Sequence, residues 1–178
     1  NGMQVARQTG CTISGNRIFS NTGSGMQFYD DCSDNQVFDN VVYSNAAAIG
    51  VHYTEDAGVS QSGGAFFRNR VYGHQQDVRF TNTDAVMIRN NTVYHATAGA
   101  SNSAFVFEGD NGSSGWTLKS NIVVNTVASS PCITVLGGSE TGSISRYNTL
   151  YPTGTALVGS YLATSAATLA AWFGLSGW

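Results

Sequence analysis

A chain of 178 residues is long enough for one domain with a substantial core. Only 11% of it is charged, against about 25% in an average soluble protein, and Gly, Asn, Ser and Thr fill the gap. That balance fits an extracellular all-β protein better than a cytosolic helical enzyme. The formal net charge of −3 gives no reason to expect a nucleic-acid partner, and no apolar stretch is long enough to predict a membrane span.

The chain opens on "GMQV" at Gly2–Val5, echoed 23 residues later by "GMQF" at Gly25–Phe28. It therefore begins in the middle of a repeating unit. An uncapped edge there invites pairing, so further coils of a longer chain or a partner chain are expected to cover it. The next element is the recurrent one. "NRIFSN" at Asn16 returns as "NVVYSN", "NRVYGH", "NNTVYHA", "SNIVVNT" and "YNTLYP". These align on Asn16, Asn40, Asn69, Asn91, Asn121 and Asn148, with gaps of 24, 29, 22, 30 and 27 residues. A period in the twenties with insertions is the signature of a solenoid.

Other columns keep the same register. Two residues after each Asn stand Ile18, Val42, Val71, Val93, Val123 and Leu150. Three residues before stand Ile13, Val37, Phe66, Ile88 and Leu118, with Ser145 in the sixth unit. Between motifs lie alternating pairs: Met26 and Phe28, Ile49 and Val51, Val78 and Phe80, Phe105 and Phe107, Ile133 and Val135. Alternation predicts strands. Each unit then holds three short strands, one ending just before the Asn and one starting just after it. Stacked about 4.8 Å apart, they make a parallel β-helix whose inward columns are ladders of like residues. The Asn is expected at a sharp bend, taking a left-handed backbone itself and passing its amide to the next Asn. Phe19, Tyr43, Tyr72, Tyr94, Val124 and Tyr151 form a further column, read as ring-on-ring packing in preference to a sugar platform.

The tail "TSAATLAAWFGLSGW" predicts a short helix capped by Thr164 or Ser165 and stopped at Gly174, with Leu169, Trp172 and Phe173 packing on the last coil. The expected division is residues 1–160 as β-helix and 161–178 as the helical segment. Cys11, Cys32 and Cys132 have no metal-type spacing and read as small buried residues. Cys11–Cys32 is a pairing to consider if the protein is secreted.

At "GMQFYDDCSDNQVFDNVVYSNAAAIGVHY" the chain resembles the right-handed parallel β-helix repeats of pectate-lyase-like proteins. The resemblance runs from Gly2 to about Gly159. It implies a right-handed, single-stranded β-helix of six to seven coils. It also implies a secreted or cell-surface protein, with a polysaccharide or glycan as partner. Such proteins include polysaccharide lyases, glycoside hydrolases and non-catalytic adhesin-type modules. The "NTD", "DD", "GHG", "RIK" set of polygalacturonases and the "RxPxxR" pattern of pectate lyases are absent.

In these proteins chemistry sits on one outward sheet face, here the strand carrying Met26 and Phe28. With Ile49 and Val51 as the third unit's inward pair, the outward positions are Gln27, Gly50, Arg79, Val106 and Thr134, followed by Tyr29, His52, Thr81, Glu108 and Leu136. His52 and Arg79 then lie on adjacent coils, offset by two residues, with Tyr29 beside His52. They are the catalytic candidates for a lyase: a cation to neutralise a uronate and a base to take a proton. Tyr29, Glu55, Asp56, Glu108 and Asp110 are candidate substrate contacts. Asp30, Asp31 and Asp34 are candidate Ca²⁺ ligands. A hydrolase would need a carboxylate pair, Asp30 or Asp31 with Glu55, Asp56 or Glu108. Charge is segregated: six of eight basic residues lie within two positions of the Asn column, and ten of eleven acids lie elsewhere. His74 and His95 have no evident partners in the sequence. "NNT" at Asn90 and "NGS" at Asn111 read as turns and not as glycosylation sites.

Overall fold

The computed structural model describes residues 1–46, 49–54, 61–98, 103–109, 114–137, 142–162, 164–168 and 170–172. Its described strands form three large sheets that wind around one core, with a small parallel pair, Gln61–Ser62 and Thr83–Asp84, beside them. The first face stacks seven parallel strands, from Met3–Ala6 through Met26–Tyr29, Ile49–Thr54, Gln76–Thr81, Ser103–Gly109 and Pro131–Gly137 to Leu157–Tyr161. The second and third faces have six strands each, running from Thr12–Ser14 to Ile144–Arg146 and from Arg17–Phe19 to Thr149–Pro152. The chain is a parallel β-helix repeat protein.

The aliphatic file is continuous. Ile18, Val42, Val71, Val93, Val123 and Leu150 pair in register from coil to coil. Val42 through Val123 are fully buried. The second-face file, Ile13 to Ser145, is equally in register. Each buried branched side chain is worth roughly 1.5–3 kcal/mol, which explains why three-residue strands suffice: every one contributes its central side chain to the core.

The Asn column forms an unbroken amide ladder. Nδ2 of Asn16, Asn40, Asn69, Asn91 and Asn121 donates to Oδ1 of the next Asn at 2.9–3.2 Å. The same Oδ1 accepts the preceding Asn's backbone N–H. One expectation is corrected here. The left-handed residue is not the Asn but the one before it: Gly15, Asp39, Arg68, Asn90, Ser120 and Tyr147 all have φ between 55° and 70°. That conformation costs a non-glycine roughly 1–2 kcal/mol. The Asn side chain offsets it by holding the bend closed between coils.

The aromatic column stacks over its first three members, Phe19 on Tyr43 at 5.0 Å and Tyr43 on Tyr72 at 5.1 Å, rings nearly parallel, while Tyr94 and Tyr151 are exposed. At the far end the expected cap is corrected. Thr164–Ala166 is a strand, antiparallel to Leu157–Tyr161. Thr168 is the residue that caps the helical turn at 170–172: its Oγ1 accepts from Ala171 N and its carbonyl from Trp172 N. Trp172 is buried against Gly159, where a Cβ would lie 2.2 Å from the indole. Leu169, Phe173 and Gly174 lie outside the described residues. The three cysteines are free, with Cys32 and Cys132 buried. Cys32 donates to the carbonyls of Val5 and Tyr29.

Candidate functional site

The register of the first face differs from the expected one in its third coil. Met26 pairs with Val51 and Phe28 with Tyr53, so Val51 and Tyr53 are the inward pair. Tyr53 stacks between Phe28 and Phe80 in the core, and burial pushes its phenol pKa well above the ordinary value. The outward row therefore reads Gln27, His52, Arg79, Val106, Thr134 and Ser160. His52 and Arg79 are direct cross-strand neighbours with no offset, and Gln27, not Tyr29, is the other neighbour of His52.

His52 is half-buried, and its Nε2 is shielded from solvent with no hydrogen-bond partner among the described residues. Burial, and then the adjacent Arg79 charge, lower its pKa from 6.5 to about 4. The imidazole is thus neutral over the physiological range and able to accept a proton. Arg79 is held on three sides. Its guanidinium binds Glu108, Nε donates to Thr81 Oγ1 at 3.2 Å, and Nη1 donates to Gln76 Oε1 at 3.4 Å. Both members of the ion pair keep about a quarter of their side-chain surface exposed, 27% and 22%.

Arg79 and Glu108 form one wall of a groove of about 400 Å³. Ser103, Thr134 and Ser160 add hydroxyls, and Pro131 and Leu136 add apolar surface. Ser103 and Thr134 are hydrogen-bonded to each other at 2.7 Å. These lining residues come from coils five to seven, where outward alternation was readable but the loop geometry that makes a groove was not.

The remaining candidates are scattered. Tyr29 shares its outward row with Glu108 but sits three coils away, about 14 Å at the usual strand spacing. Asp30 and Asp31 follow it, so neither can pair with Glu108 across a glycosidic bond, which needs roughly 5–9.5 Å. Asp30 is also bound to Arg7. Asp30, Asp31 and Asp34 all have positive φ, the mark of turn residues. Among the described residues no three His, Cys, Asp or Glu converge as a metal ion would require, so the Ca²⁺ reading finds no ligand set. Glu55, Asp56 and Asp110 lie outside the described residues.

His74 and His95 do have a partner, and it is buried. Asp77 Oδ1 meets His74 Nδ1 at 3.2 Å and Oδ2 meets His95 Nδ1 at 2.7 Å, with all three side chains fully enclosed. Asn45 donates to His74 Nε2, which places the His74 proton on Nδ1. The cluster continues a second amide ladder, Asn21 to Asn45. Gly50 belongs to it as well: a Cβ there would stand 2.6 Å from His74 Nδ1. The signal in the sequence was positional. His74 falls where Asn21 and Asn45 fall, five residues past the bend Asn. With no access to solvent the cluster is structural.

A family model described as periplasmic copper-binding protein (NosD) matches residues 1–83, somewhat under half of the chain. The match takes in His52 and Arg79 and ends before Glu108. No curated protein and no solved structure matches the chain. No helix among the described residues is long and apolar enough to cross a membrane.

Proposed function

We propose that this protein is a carbohydrate-active β-helix domain, secreted or at the cell surface, that takes an acidic polysaccharide on its first face. The carrying observation is the in-register pair His52–Arg79, with Arg79 bound to Glu108 and both of these lining the groove. In a lyase-type elimination, a guanidinium neutralises the uronate carboxylate and so acidifies the C5 proton. A neutral base removes that proton, C4=C5 forms, the C4–O bond breaks, and the departing oxygen takes up a proton. Arg79 suits the first role once a uronate competes with Glu108 for it. His52 suits the second, being neutral above about pH 4. Tyr29 lies on the coil next to His52, two residues out of register with it.

A non-catalytic glycan-binding or adhesin-type module is the second reading. Two observations favour it: Arg79 is already paired, and His52 Nε2 is shielded. The copper in the matched family's name does not enter the proposal. Copper asks for convergent imidazole or sulfur ligands. Here Cys32 points at backbone carbonyls, and the Nδ1 atoms of His74 and His95 are both bound to Asp77.

A panel of uronate polysaccharides, followed by the ultraviolet absorbance of unsaturated products and by reducing-sugar release, separates the readings. Lyase activity that falls at least 100-fold in both His52→Ala and Arg79→Ala supports the assignment. Activity untouched by either change refutes this site, and binding without turnover establishes the module.

A further inference from the structure

The second face carries an electrostatic feature that the first-face groove does not use. Arg89 pairs in register with Lys119, and Lys119 with Arg146, on three successive coils. Like charges directly opposite one another destabilise a sheet. Sequences usually relieve this with an interleaved acid. Here none of the three has an acidic partner among the described residues, and every strand of the second and third faces is described. Asp39 is the only acid on either face or the bend between them, and Arg68 already holds it, at 2.8 and 2.6 Å.

The cations are braced by rings. Arg89 lies 4.5 Å over Phe67, Arg68 lies 5.1 Å over the same ring, and Lys119 lies 5.8 Å from Tyr147. The Arg89 Nε is desolvated and unpartnered. Arg70, around the bend, and Arg17, over Tyr43, extend the strip towards the first coils. Among the described residues, seven of the eight large exposed hydrophobic side chains also lie on these two faces or their bend, Tyr147 most of all at 76%.

We propose that the column Arg89–Lys119–Arg146 is a docking strip for a linear anionic polysaccharide, one carboxylate to a coil. The cations repeat at the strand spacing of about 4.8 Å, a step close to the advance of one sugar ring along a polyuronate. A nucleic-acid strand fits less well. Its phosphates advance about 3.4 Å per strand in a duplex, and base stacking needs open ring faces. Beside the column the Phe38 and Phe67 rings cover each other at 4.8 Å, and Arg68 and Arg89 lie over Phe67. Tyr147, at the bend beside Lys119, offers an exposed ring and hydroxyl to a sugar. A second copy meeting the same strip face to face would oppose cations to cations.

The inference shares its ligand class with the first-face reading but not its residues, so the two can fail separately. The test is binding of polygalacturonate to the full chain at low and moderate salt, with dextran and a single-stranded oligodeoxynucleotide as comparison probes. The expected result is salt-sensitive binding of polygalacturonate, none of dextran, and a loss of at least tenfold in Lys119→Glu/Arg146→Glu. The milder Lys119→Gln/Arg146→Gln, with an unchanged circular dichroism spectrum, should show an intermediate loss. Unaltered affinity in both double variants overturns the proposal, even if Arg79→Ala abolishes binding and so upholds the first-face site. Tighter binding of the oligonucleotide, or a salt-sensitive dimer that the double variants dissolve without any polygalacturonate binding, overturns it too.

Discussion

At the scale of single residues, His52 is the group whose environment makes the clearest statement about pH. Its folded pKa is about 4 against an ordinary 6.5, because burial and then the Arg79 charge disfavour the imidazolium. The unfolded chain therefore binds the extra proton first as pH falls. Stability contributed by keeping His52 neutral is fully present above about 6.5 and is lost between there and about 4. The slope from this one group is about 1.4 kcal/mol per pH unit. Urea melts of the wild type should weaken across that window, and His52→Gln should flatten the decline. Parallel pH profiles for the two proteins would mean the ring is better solvated than its packing implies. At the same scale, Asp39 and Arg68 perturb each other through their hydrogen bonds, but both are exposed, so that pair has little influence on stability.

At the scale of elements, the amide ladder and the last coil carry different kinds of risk. Asn91 accepts from both Nδ2 and the backbone N–H of Asn69 while donating to Asn121 and to the Phe66 carbonyl. Asn91→Ala strips two buried donors of their acceptor at once, which should cost about 3 kcal/mol by chemical denaturation. Asn16 is half-buried, and its side chain only donates, to Asn40 and Ser14. Asn16→Ala should cost about 1 kcal/mol or less, and equal losses at the two positions would show that the rungs do not act through satisfied donors. On the last coil Gly159→Ala drives a methyl into the Trp172 ring. The indole must leave its pocket, which should lower stability by about 2 kcal/mol and raise tryptophan exposure to a soluble quencher; unchanged quenching would place the ring elsewhere. These two elements also show what a sequence can carry. The Asn and aliphatic columns were legible because each bend forces one residue type at a constant offset. The tail was not. Its Ala-rich stretch matches helix propensity, yet Thr164–Ala166 pairs with the exposed edge of Leu157–Tyr161, a tertiary demand that local propensity does not contain.

At the scale of the whole molecule the limits of legibility have the same origin. The third coil was misregistered by two because Ile49, Val51 and Tyr53 all alternate and any two of them look inward. Aligning Gly2, Gly25 and Gly50, the residues just before the pairs, would have resolved it, since a Cβ at Gly50 collides with the backbone of Asp77 on the next coil. The place of the groove along the stack was not legible for a different reason: it is made of depth between coils, which no column records. Stacking also determines how the fold comes apart. Each coil rests on its neighbours, and stability is close to a sum of coil and interface terms. Val71, Val93 and Val123 are fully buried with a coil on either side, whereas Ile18 is 8% exposed and Leu150 is only partly buried. Amide exchange should therefore be graded. Strand amides around Val71 and Val93 should exchange only through global unfolding, while those around Ile18 and Leu150 open at lower cost. In Asn91→Ala the protection of the central coils should collapse towards that of the outer ones, since the weakened interface divides the stack. Uniform protection along all six coils in the wild type would mean that the β-helix unfolds as a single cooperative unit, and that its interfaces are stronger than the coils they join.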